Sequence, residues 1–171
     1  MRLSDYTDYT LRVLMYCAAN RQRRVTIGEL AEHHGVSKNH LMKVVNDLAR
    51  QGLIETTRGR GGGLRLLQKP EAIRIGDVVR ASETDFRLVE CFDARTNQCG
   101  LMPNCRLKHL FAAALQGYFK ALDGATLADM IASDAAPRSR GAQGASARPM
   151  SVAVPVPRRR SRTATTATPN R

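Results

Sequence analysis

Three cysteines stand close together in the second half of the chain. Cys91, Cys99 and Cys105 have seven and five residues between them, in a stretch holding Asn, Gly and Pro. Three thiolates within one irregular segment can converge on a single metal centre, and soft sulfur donors select zinc, copper(I) or an iron–sulfur cluster. The N-terminus, MRLSDYTDYTLRVLM, carries two acids and no apolar export segment, so a cytoplasmic protein with reduced thiols is expected. No apolar run approaches a membrane span. Zinc has an argument of its own, because His109 follows Cys105 with three residues between, a spacing found among zinc ligands. Against it, there is no Cys-x2-Cys knuckle, and His109 falls on a predicted helix. Spacing alone does not choose iron from zinc. Cys17 stands apart on the apolar face of the first helix and reads as a core residue.

A second group of candidates is basic and polar. Lys38, Asn39, His40, Lys43 and Asn46 lie off the apolar face of one predicted helix. Asn pairs bidentately with adenine, and Lys reaches guanine or phosphate, so these types suit a DNA major groove. Downstream, Arg58 and Arg60 flank the first glycine of RGRGGG, where small residues let backbone approach a sugar-phosphate rail and Arg can enter a minor groove. A phosphate-cradling nucleotide loop is rejected for this segment, since no Lys-Ser/Thr follows and no helix starts there. An enzyme is not expected either. There is no nucleophile elbow, no His-Glu-x2-His and no base to activate a thiol.

The elements that must position these residues follow from caps and periodicity. Ser4 caps a first helix with Tyr6, Tyr9, Val13, Leu14 and Cys17 on one face. Thr26 and Glu29 form a capping-box pattern for a second helix that stops at Gly35. Ser37 caps a third, with Leu41, Val44, Val45 and Leu48 as its apolar stripe and Gly52 at its end. Two helices joined by a tight Gly-Val-Ser turn predict a helix-turn-helix. Leu53–Thr57 and Leu64–Leu67 read as strands of a hairpin whose glycine-rich basic tip stands where a winged helix has its wing. A further helix is predicted over 75–83. A longer one, from Leu107 to Leu122, carries a broad apolar stripe suited to a dimer seam or a core.

The expected fold is therefore mainly α with a small β-hairpin. Residues 1–83 form a winged helix-turn-helix DNA-binding domain and 84–105 a cysteine loop. Residues 106–132 form a dimerisation helix with a short terminal helix, and 133–171 a disordered basic tail. Charge agrees with a polyanionic partner: 27 Lys/Arg against 15 Asp/Glu give +12. The tail supplies +7 of this through eight Arg and one Asp. It lacks aromatic residues and apolar periodicity, so a solvated tail is expected.

These residues together resemble a known family. MRLSDYTDYTLRVLMY, GVSKNHLMKVVNDLARQGLI, TTRGRGGGLRL, IRIGDVVR, LVEC and CRLK run in order over roughly residues 1–131. They are similar to the IscR-like winged-helix iron–sulfur regulators, in their nitric-oxide-sensitive branch. The resemblance implies a homodimer on a double-stranded operator, repression of nitric oxide detoxification genes, and nitric oxide as the signal. It also implies an iron–sulfur cluster, 2Fe-2S or 4Fe-4S, on Cys91, Cys99 and Cys105. The first cysteine gap is longer than the family's usual one because of DARTNQ. IscR-type proteins have a ligand histidine three residues after the last cysteine; this chain has Lys108 there, which favours the nitric-oxide branch. In that branch an acid of the first helix, reached across the dimer, can complete a four-iron cluster. The matching residue is Asp8, which reads equally as a carboxylate offsetting the helix dipole. A winged-helix regulator with a structural zinc, or one sensing another redox or iron signal, is the alternative.

Overall fold

Each of the first three helices begins on a hydroxyl. The computed structural model describes residues 2–101 and 105–132; the tail beyond lies outside the described residues. Ser4 Oγ accepts from Thr7 N–H at the start of α1 (Asp5–Ala19), and Thr26 from Glu29 N–H at α2 (Ile27–His34). Ser37 accepts from His40 N–H at α3 (Lys38–Arg50). Each bond satisfies one of the open donors of a first turn. The expected capping box at Thr26 is only half used. Glu29 turns its carboxylate to Arg23 and to the Tyr16 hydroxyl, which donates at 2.7 Å. Together Arg23 and then Tyr16 hold Glu29 down at about 2. A complete box forms instead at Thr126 and Asp129, opening α6 (Leu127–Ile131).

Between α2 and α3 the chain turns at Gly35, in the left-handed conformation at φ 64°. Leu41, Val44, Val45 and Leu48 of α3 are buried, as the pattern predicts. They pack with Val13, Leu14 and Cys17 of α1 and Leu30 of α2. Full burial of such a side chain is worth about 1.5–3 kcal/mol, so this cluster fixes the angle of the helix-turn-helix. The hairpin pairs β1 (Ile54–Thr57) with β2 (Gly63–Leu66) antiparallel, Ile54 facing Leu66 and Thr57 facing Gly63. Both strands are one residue shorter at the body end than the sequence pattern suggests. Leu53 N–H is committed to Leu48 C=O at 3.0 Å, closing α3 instead of joining the ladder. An antiparallel bridge from Val25 to Leu64 adds the α1–α2 connection to the sheet.

A short 3-10 turn at Pro70–Ala72 leads to α4 (Ile75–Ser82), whose Val78 and Val79 enter the core. The described residues between α4 and α5 are irregular apart from one 3-10 turn at Glu90–Phe92. They end at α5 (Arg106–Asp123), in which no residue is buried. Leu107 and Leu110 stand 53% and 64% exposed, so the start of the α5 stripe is not a core face within one chain, whereas Phe119 and Leu122 toward its end pack against the core. Beyond α5 the backbone returns to α4, with Ile75 N–H on Ala125 C=O and Leu127 N–H on Ile73 C=O. No described helix is long and apolar enough to cross a membrane.

Candidate nucleic-acid interface and cysteine loop

All five polar residues proposed on α3 are exposed, but the structure divides them. At 100° per residue, Asn39, Lys43 and Asn46 stand opposite the buried stripe. Lys38 and His40 fall on the flanks. The Lys38 ammonium lies 4.0 Å from where a Cβ on Gly28 would sit, leaning toward α2. The His40 ring lies parallel to Tyr9 of α1, centroids 6.4 Å apart. Arg50, on the outward side as well, is tethered to Asp47 at 3.3 Å. Met42, 43% exposed, borders this face. It falls out of phase with the apolar stripe, a signal that could have singled it out, and an apolar tip suits a thymine methyl. The first turn of α3 holds no acid, so the positive end of its dipole is open to phosphate.

The wing sets Arg58 and Arg60 at an exposed tip. Its turn closes by Gly62 N–H on Gly59 C=O at 2.9 Å. A Cβ on Gly62 would lie 2.3 Å from the Thr57 carbonyl oxygen, so the tip is this narrow only with glycine there. At the root, Glu55 accepts from both Arg24 and Arg65, at 3.4 and 3.3 Å. One guanidinium nitrogen of Arg24, Nη1, is buried without a hydrogen-bond partner among the described residues.

Cys91, Cys99 and Cys105 are free, partly exposed thiols, whereas Cys17 is buried. Burial, with a smaller push from the Glu29 charge, raises the Cys17 thiol to about 12, the behaviour of an inert core thiol. Cys91 occupies the 3-10 turn, Cys99 N–H donates to Asn97 Oδ1 at 3.0 Å, and Cys105 is the cap residue of α5. Among the described residues no three His, Cys, Asp or Glu side chains gather closely enough to hold a metal ion. His109 is exposed on α5. By donor type the set suits a soft metal: three free, partly exposed thiols within one stretch of chain. Ion pairs shape the loop beside Cys91. Arg87 bridges Asp85 and Asp93, both at 2.7 Å, and Asp93 also takes Arg95. Asp93 is held below the usual carboxylate range by the Arg95 backbone N–H and side chain, with Arg87 adding to it. Asp8 lies in the first turn of α1 and pairs with Arg12 at 2.7 Å.

The model of the Rrf2 iron-dependent transcriptional regulators matches residues 3–133. The chain belongs to the Rrf2 family. Among similar relatives, the HTH-type transcriptional regulator NsrR of Bacillus subtilis is 52% identical over 132 residues, 77% of this chain and 90% of that one. NsrR of Bacillus licheniformis is 50% identical over 132 residues, 77% and 92% of the two chains. In fold this Rrf2 protein is similar to CymR of B. subtilis, with TM-score 0.65 at 23% identity over 77% of this chain and 96% of that one. It is likewise similar to T. potens IscR, with TM-score 0.63 at 24% identity over 84% and 94% of the two chains. The winged-helix architecture follows, and the Rrf2 protein is a DNA-binding transcriptional regulator of the NsrR type, not an enzyme.

Proposed function

We propose that this regulator represses nitrosative-stress defence genes as a homodimer and senses nitric oxide through an iron–sulfur cluster on Cys91, Cys99 and Cys105. The observation that carries the reading is the continuity of the cysteine loop with α5. Cys105 caps the helix whose Leu107 and Leu110 are exposed, so whatever orders the loop acts on the start of the face that seats a second copy. When bound, the cluster would supply iron that reacts with nitric oxide. The protein supplies the rest. Asn39, Lys43 and Asn46 face the major groove, Lys38 and His40 flank it, and Arg58 and Arg60 hold the wing on the backbone rail. A dimeric helix-turn-helix protein needs its recognition helices about one DNA turn apart, so a small change in loop order shifts the population of DNA-competent dimers.

Asp8 is the proposed fourth donor, offered across the dimer. Its carboxylate is half exposed and held by the surface pair with Arg12, a contact of modest strength that a metal can displace. A thousandfold loss of operator affinity corresponds to about 4 kcal/mol of differential stabilisation by the ordered loop.

Anaerobic purification with iron and sulfide analysis is the first test, followed by nitric oxide titration of a gel shift. The probe is a duplex selected from random-sequence DNA by the protein itself. A brown protein whose shifted band disappears with added gas is expected. A colourless protein carrying zinc, or a band indifferent to nitric oxide, defeats the proposal.

A further inference from the structure

The joint between α4 and α5 contains two residues that local rules disfavour. Asp123 is the last residue of α5, at the helix end where the dipole opposes a carboxylate. Gly76 is the second residue of α4, where glycine weakens a helix relative to alanine. Each accounts for the other. A Cβ on Gly76 would lie 1.9 Å from Asp123 Oδ1, so the glycine is a notch that admits the carboxylate. In the notch Asp123 accepts both arms of one guanidinium: Arg80 Nη1 donates to Oδ1 at 2.7 Å and Nη2 to Oδ2 at 2.6 Å. The same guanidinium lies over the Phe119 ring, 4.4 Å from its centroid. Phe119 meets Phe86 edge to face at 4.8 Å, and Phe86 opens the cysteine loop. Phe92, beside Cys91, lines a hollow of about 520 Å³ together with Phe119 and Asp123.

Loop, α5 and α4 therefore meet at Arg80. Its side chain is 40% exposed and that of Asp123 36%, so the pair adds little to stability. What a bidentate fork supplies is direction. The backbone bond from Ile75 N–H to Ala125 C=O holds the chain just past α5 on the start of α4, and Phe119 and Leu122 pack the last turns of α5 on the core; the fork adds a directional contact to that packing.

We infer that Arg80 is a positioning residue: gripped by Asp123 and seated on Phe119, it sets the angle of α5 on the winged-helix body and passes changes in the cysteine loop to that angle. The second half of this inference rests on the cluster reading proposed above.

The test uses the full chain, purified anaerobically, as parent, Arg80→Gln, Arg80→Lys and Gly76→Ala. The last expels the Asp123 carboxylate without changing any polar group. Amide hydrogen exchange on metal-free protein reads the joint alone. Arg80→Gln and Gly76→Ala should each speed exchange in 84–92 and 116–123 by about tenfold and leave α3 unchanged. Exchange as slow as the parent's in both overturns the joint. Affinity for the selected duplex, with and without iron, reads the transmission. At equal iron and sulfide content, the ratio of the two affinities should fall about tenfold toward one in Arg80→Gln, and Arg80→Lys should recover part of it. A ratio kept at the parent's value in Arg80→Gln overturns the transmission. A parent with no such ratio overturns the cluster reading and the transmission with it, while the exchange result still decides the joint.

Discussion

Tyr6 donates a hydrogen bond to Asp47 Oδ2 across 2.5 Å, joining the first turns of α1 to the last of α3. Burial, then this bond and the charge of Asp47, push the phenol up to about 12 from an ordinary value of 10.0. The folded state therefore holds its proton more tightly than the unfolded chain. The stability this gives is intact below pH 10.0 and is lost as pH rises toward about 12. Unfolding free energy measured across that window should fall less steeply in Tyr6→Phe than in the parent. The same variant should lose about 0.5–1.5 kcal/mol at neutral pH. On the recognition surface, Asn39→Ala and Asn46→Ala should relax sequence preference, each by about 1–3 kcal/mol at one base position. Arg60→Ala should instead weaken binding to all sequences and lower the salt slope by about one. Competition with scrambled duplexes across a salt titration separates the two outcomes. Such residue types were legible in the sequence because a helix shows its buried and outward faces through spacing. The partners were not. Tyr6 reads as a core-facing aromatic, and nothing in the local pattern connects it to Asp47, or Arg80 to Asp123. The neighbours that Lys38 and His40 meet on the flanks, Gly28 and Tyr9, likewise lie on other helices.

Elements were the most legible level. Helix starts are announced by Ser4, Thr26 and Ser37, and their side chains make the expected bonds, because capping involves residues only three apart. Ends are harder, since a residue such as Leu53 has two uses for one N–H, and tertiary geometry decides between helix closure and ladder. The role of α5 was left open between core and seam by its periodicity. In the single chain Leu107 and Leu110 are exposed while Phe119 and Leu122 pack against the core, so only the start of the helix is open for a seam. Leu110→Asp should accordingly give a monomer by sedimentation with its melting temperature nearly unchanged, and operator affinity should drop because two half-sites are no longer bound together. In the wing, Gly62→Ala places a methyl against the Thr57 carbonyl oxygen. It should disturb amide shifts at the tip and weaken DNA binding while the Val44–Leu48 core stays as it is.

At the scale of the whole molecule, the described core and the larger share of the net charge occupy different stretches of the sequence. Among the described residues burial runs from Thr7 to Leu127, whereas the larger share of the net charge lies beyond residue 132. A chain ending at 132 should therefore melt at the same temperature as the full one. The ratio of operator to non-operator affinity should also be unchanged, since an Arg-rich segment without base contacts acts on all duplexes alike. The cysteine loop was legible in composition but not in arrangement, because neither helical nor strand periodicity governs the stretch that holds Cys91 and Cys99. The start of α5 carries one more consequence. Among the described residues the side chain of its cap residue makes no capping hydrogen bond, and its first turn holds no acid, whereas its last turn is tied down by Asp123. A rod pinned at one tip and unsealed at the other frays from the unsealed tip, so amide protection along α5 should climb steadily from Arg106 to Phe119. Winding or unwinding one turn at that soft tip would swing the exposed leucines about the pinned one, as a crank handle turns about its axle.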